Sequence, residues 1–320
     1  MSSLAANRRP VAILFLIVFI DLVGFGLLIP VIPLYAKFFG ANEFTGSLLI
    51  ATYSLLQFIA APVLGRLSDE RGRRPILMLS LFGATVAWVI FGFAEPIAGA
   101  VGTATGLGVL FVARALAGAM GGNIAAANAY IADITGPEER AKGLGILGAA
   151  FGVGFVFGPA IAAVVTQPAV LEALAGVTPA PLPVSAYSVP SFIAAALSFI
   201  ALVLTAVALP EPPRSQAVTP QAQGRIARLR EALQTPGLFA LVVAFFVVSF
   251  AFSAFESQFI FLTNDRLGYG TVANGVLLTY IGVLIVIVQG GLIGPLTRRF
   301  GEARLAVTGV VIQLATLWMV

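Results

Sequence analysis

Apolar positions in this chain follow neither the alternation of strands nor the single stripe of a soluble helix. They form unbroken runs parted by short polar segments. A helix needs about 20 predominantly apolar residues to cross a bilayer, and nine windows satisfy that length: Val11 to Leu34, Thr45 to Leu64, Pro75 to Ala94, Thr103 to Ile131, Gly143 to Val165, Tyr187 to Leu209, Leu238 to Leu262, Val272 to Ile293 and Arg304 to Val320. The runs are too long for the alternating strands of a membrane barrel. Inside lipid every backbone polar group must find a partner within its own segment, so helices are predicted throughout. The first window is expected to persist as a helix, because it lacks a small-residue cleavage site and further spans follow at once.

Composition agrees: 59% of residues are hydrophobic and only 10% are charged, far below a soluble domain's share of charge. What charge there is falls on one side. With the N-terminus placed in the cytoplasm, fifteen of the eighteen basic residues lie in inner segments, and only Lys37 and Arg266 lie in outer ones, as the retention of arginine and lysine on the inner side requires. The net charge of +4 therefore needs no nucleic-acid partner. The densest cluster, GRLSDERGRR from Gly65, becomes an inner hairpin between the second and third helices. A related stretch, GPLTRRFGE, begins at Gly294 after the eighth helix and matches it at glycine, leucine, hydroxyl and glycine. This internal repeat divides the chain into an N-terminal half (1–209), a polar linker (210–237) and a second half (238–320). In the linker, Ile226, Leu229 and Leu233 would share one face of a short helix on the inner leaflet. Parallel repeats of this kind build secondary transporters, with the substrate site between the halves.

Three charges remain inside apolar windows: Asp21 in the first, Arg114 in the fourth and Glu256 in the seventh. Each costs roughly 2.5 to 3.5 kcal/mol at a helix centre on insertion scales, so such residues face a water-filled cavity or pair with one another. A static Asp21–Arg114 pair would still leave one acid over. A buried acid that holds a proton when shielded and releases it when opened to water can couple transport to a proton gradient, and the chain has no histidine for that work. Asp21 and Glu256 are thus the proton-coupling candidates and Arg114 the charge partner. Gln57 and Asn123 are the candidates for the substrate cavity. The eighth-helix Gln289 is a further polar candidate. Glycines 148, 152, 154 and 158 form i, i+4 pairs that admit a neighbouring helix, and Pro159 can bend the backbone. They are read either as plain packing or as a seal between halves. A G-x-G-x-x-G string at Gly143, Gly145 and Gly148 opens a membrane helix with no preceding strand, so it is no dinucleotide site. No cofactor or metal is expected.

GRLSDERGRRP at 65–75 resembles the signature between helices two and three of the major facilitator superfamily. FIDLVGFGLLIPVIPLY at 19–35, LFVARALAGAMGG at 110–122 and GFVFGPAIAA at 154–163 are similar to first-, fourth- and fifth-helix motifs of its twelve-helix drug:proton antiporters, the tetracycline efflux-like group. The resemblance implies an all-α major facilitator-type bundle: a six-helix N-terminal half and three helices of an incomplete second half, a C-terminally truncated chain. It also implies a gating role for Gly65, Asp69, Gly72, Arg73 and Arg74, an antiporter-motif role for Gly154, Gly158 and Pro159, and a proton role for Asp21. Alanines stand where the fifth-helix motif ends in two glycines. The group's third-helix aspartate falls on Ala87 and its eighth-helix histidine near Ile285, which puts tetracycline itself in doubt as a substrate.

The expected activity is proton-coupled efflux of small amphipathic compounds by alternating access, from a monomer embedded in the cell inner membrane with its N-terminus in the cytoplasm. Its partners are a small-molecule substrate, protons and the lipid bilayer, with no nucleic acid. A proton-coupled importer and a non-transporting receptor or scaffold are the alternatives, and an intramembrane hydrolase lacks a histidine base or nucleophile cluster.

Overall fold

A computed structural model describes residues 7–179, 182–213 and 237–319. Every regular element among them is helical. In chain order these are α1 (Arg8–Leu28), α2 (Ile32–Phe38), α3 (Glu43–Arg71), α4 (Arg73–Gly92), α5 (Ala94–Val101), α6 (Thr103–Ala119), α7 (Asn123–Ile134), α8 (Pro137–Val165), α9 (Pro168–Val177), α10 (Ser188–Ala208), α11 (Leu238–Leu267), α12 (Thr271–Ile287), a π-helical turn (Val288–Leu292), α13 (Ile293–Phe300) and α14 (Glu302–Met319). Among the described residues, seven spans are long and apolar enough to cross a membrane, the first joining α1 to α2 and the fourth joining α6 to α7. The eighth predicted window is realised as α12, 17 residues long, which runs through the π turn at the sequence VQGGL. The linker helix expected around Ile226 lies outside the described residues.

Local chemistry sets the ends. Asn42 caps α3, its side chain accepting from the Thr45 N–H at 2.9 Å. Gly72 separates α3 from α4 at φ 109°, a region that disfavours any residue with a Cβ. Two windows read as continuous are broken. The first is interrupted around Pro30, which cannot donate to the helical ladder. The fourth is interrupted at Met120–Gly122, where two glycines weaken the helix and α7 restarts at Asn123.

The chain forms two compact units. The first comprises Met1–Pro213 with Ile260–Val286, and the second comprises Arg214–Phe259 with Ile287–Val320. The first unit holds two apolar clusters along its helices. One gathers Leu14, Leu77, Leu81, Tyr130, Leu147 and Ala201; the other gathers Leu27, Tyr35, Leu49, Trp88, Leu110 and Ala194. On α1 and α4, Asp21 and Ser80 lie beside Leu22 and Leu81 at the edge of the first cluster, and on α10 Ser198 lies between Ala195 of the second cluster and Ala201 of the first, so a polar layer interrupts the apolar packing part-way along the helices.

Candidate functional site

That layer centres on Asp21, which is buried on α1. Its Oδ2 accepts a hydrogen bond from the Asn123 amide nitrogen, and its Oδ1 accepts from the Ser198 hydroxyl at 3.3 Å. Asn123 can reach because the fourth span breaks there: as the first residue of α7 it also receives the Ile124 N–H on its side-chain oxygen at 3.0 Å, which fixes the amide's orientation. The Gly121 carbonyl freed by the break is satisfied by the Gln57 amide at 3.0 Å, and the same nitrogen donates to the Tyr53 hydroxyl at 3.1 Å. Helix α3 approaches α6 closely here, since a Cβ on Gly118 would lie 2.3 Å from the Tyr53 carbonyl oxygen. Gln57, Asn123 and Asp21 are therefore joined through one helix break.

Arg114 is not joined to Asp21. Its guanidinium carbon lies 4.5 Å from the centre of the Tyr53 ring, a cation–π contact that gains strength when desolvated, and its Nε and Nη1 have no hydrogen-bond partner. Ion pairs among the described residues are Lys37–Asp265, Arg73–Asp69 and Arg73–Asp133. The static Asp21–Arg114 pair is absent, and the acid is held by neutral donors alone. A carboxyl so held tolerates both protonation states, because the amide and hydroxyl serve either form. Glu256 lies exposed on α11 in the second unit, near the ring pair Phe255–Phe259, whose centroids are 5.4 Å apart. The side chain of Gln289 lies outside the described residues.

At the end of the bundle that carries residues 65–74, the charged hairpin forms a network. Arg73 Nε donates to Asp133 at 2.7 Å, and its Nη1 donates to Asp69 at 2.5 Å and to Ser68 at 3.3 Å. The Glu211 carboxylate accepts from the backbone N–H of Arg73 at 2.6 Å and of Arg74 at 3.0 Å. Arg74 turns to the end of α10, donating from Nε to the Thr205 carbonyl at 3.1 Å and from Nη2 to the Ala206 carbonyl. Gly65 meets no atom within 4 Å of an added Cβ, whereas one on Gly72 would lie 2.5 Å from Glu211. The fifth-helix glycines pack α8 on α1: a Cβ on Gly158 would stand 2.6 Å from the backbone of Gly26, and one on Gly154 would stand 2.8 Å from Leu22 Cβ. The Pro159 carbonyl oxygen lies 2.8 Å from where a Cβ of Gly275 would be, so α12 packs tightly on α8 as well.

Sequence reasoning missed Ser80, Ser198 and Glu211. Glu211 left a faint signal as a lone acid between prolines just past the sixth span. The serines left none.

The chain matches the Major Facilitator Superfamily over residues 14–320. It is 32% identical over 296 residues to the tetracycline resistance protein, class C, of Escherichia coli, covering 91% of this chain and 68% of that one. The class G protein of Vibrio anguillarum is 33% identical over 310 residues, covering 95% and 72%. Among solved structures, a bacterial homologue of the human lysosomal transporter Spinster, inward-facing and unoccupied, superposes with a TM-score of 0.70 at 18% identity, covering 92% of this chain and 64% of that one. At that identity the likeness speaks for the fold.

Proposed function

The chain belongs to the Major Facilitator Superfamily, and from that premise we propose that it is a proton-coupled secondary transporter exporting small amphipathic compounds by alternating access. Asp21 carries the proton. The observation that supports this most is the setting of Asp21: buried, bonded to the Asn123 amide and the Ser198 hydroxyl, and unpaired with Arg114. A structural carboxylate would be neutralised by the one buried arginine of this unit; this one is left free to change charge. Its similarity to tetracycline resistance proteins supports drug-like cargo. Position 87, a fully buried alanine, offers no acid for a metal-chelated drug, so an uncomplexed amphipathic compound fits better. The protein works as a monomer in the inner membrane, its N-terminus and the 65–74 hairpin in the cytoplasm. Residues 1–209 form one half and 238–320 belong to the other, with Glu256 contributing to coupling and Gln57 and Asn123 to the cavity.

The test is substrate screening in inverted membrane vesicles with a pH dye. The expected result is drug-dependent release of protons from the lumen, abolished in Asp21→Asn while exchange of labelled substrate persists, because the neutral isostere mimics the protonated acid. Wild-type proton-coupled rates in Asp21→Asn would overturn the assignment.

A further inference from the structure

Two pockets in the first unit meet at the break in the fourth span. One, about 30 Å³, is lined by Asp21, Tyr53, Ser80, Gly121 and Asn123 among others. The second, about 130 Å³, lies toward the charged hairpin and is lined by Leu64, Ser68, Asp69, Arg73, Gly122 and Ala126 among others. The partition between them is thin. Gly122 lies against both walls, for an added Cβ would stand 2.7 Å from Leu64 Cδ1 and 3.2 Å from Ser80 Oγ. Its φ of −95° is open to any residue, so glycine is required there for space and not for conformation. Ser80 Oγ is buried and bonds to no protein atom. Buried hydroxyls are satisfied by protein or by ordered water, and the Asp21 pocket has room for about one water with several polar partners. The inner pocket is bordered by the Asp69 carboxylate, which pairs with Arg73 and is largely open to water, so a proton that reaches this pocket meets the aqueous phase.

We propose that Asp21 exchanges its proton with the cytoplasmic phase through the body of the six-helix half, by way of a water against Ser80 and across the thin partition at Gly122, on a path separate from that of the substrate. The route rests on Asp21 as the proton carrier. On release, the Asp21 carboxylic acid gives its proton to the water, which passes one of its own to Ser80 Oγ. The proton that Ser80 held departs to water in the pocket at Asp69. Water and serine end as they began, and the carboxylate remains. Uptake runs the same steps in reverse. A separate path allows the acid to change charge while substrate is bound, which one shared opening would prevent.

The experiment is a pH jump on the purified full-length protein in lipid nanodiscs, followed by time-resolved infrared absorption of the carboxylic C=O band, with the proton itself as probe. The band is assigned by its loss in Asp21→Asn. Gly122→Val thickens the partition and Ser80→Ala removes the relay hydroxyl without adding bulk, so the second variant stands if the first does not fold. Both are expected to slow the protonation change at least ten-fold while leaving its final amplitude within two-fold of wild type. Equal rates in wild type and Ser80→Ala would overturn the route while leaving Asp21 as the carrier. A wild-type band that does not respond to pH, or that survives in Asp21→Asn, would overturn the carrier assignment and the route together.

Discussion

Glu211 stands just past the last turn of α10 and closes the open end of another helix. Its two oxygens take two of the N–H groups that the first turn of α4 cannot satisfy internally, and its charge complements the helix dipole. Glu211→Ala is expected to cost about 1 kcal/mol and to lower the apparent melting temperature in detergent, whereas Glu211→Gln retains an acceptor and loses less. Gly72→Ala should be worse than Gly65→Ala in the same measurement, because only position 72 combines a positive φ with a carboxylate in the way. A more damaging Gly65→Ala would contradict this account. Single charges such as Asp21 were legible in the sequence, since a lone acid in an apolar run has few explanations. Its partner Ser198 was not. Ser191, about two turns earlier on the same helix, bonds to the carbonyl four residues back at 2.7 Å, as membrane serines commonly do, and nothing in the letters separates it from the serine that reaches Asp21.

Helix α8 presents the same contrast along one element. Its glycines at 148, 152, 154 and 158 look alike in the sequence, and their spacing alone announces a packing face. The neighbours decide which of them matter. Gly154 and Gly158 lie against the backbone and side chains of α1, Gly152 meets only Val286 Cγ2 at 3.8 Å, and Gly148 meets nothing within 4 Å. Gly158→Ala is therefore expected to force α1 and α8 apart, with reduced yield and a lower melting temperature, while Gly148→Ala stays within about 0.5 kcal/mol of wild type, as surface substitutions do. Comparable loss in both would mean that the spacing and not the contact is what counts. The break between α6 and α7 was half legible in the same way. The paired glycines were visible, but the rescue of the Gly121 carbonyl by Gln57, which allows a broken helix inside a membrane, depends on residues 64 positions apart.

At the scale of the molecule, the long apolar runs and the asymmetry of arginine and lysine were the plainest signals in the sequence, because bilayer thickness and the positive-inside rule act on segments and not on single contacts; of the nine expected spans, the first seven are realised at membrane-crossing length among the described residues and the last two as shorter apolar helices. The chain contains no cysteine, so the orientation is directly testable. Arg66→Cys should react with a membrane-impermeant maleimide only in inverted vesicles, and Phe38→Cys, on the opposite side and 52% exposed, only in intact cells; the reverse pattern would overturn the topology. The bonds of Arg74 to the end of α10, of Tyr130 to the Pro210 carbonyl at 2.6 Å, and of Glu211 to α4 also carry a meaning in time. They all use residues at or before position 211, so they need none of the last 109 residues of this chain (320 − 211) and can form before its synthesis is finished. Once its sixth helix leaves the translocon, the first half can latch shut, and the later helices are then threaded into the membrane beside a partner that is already assembled.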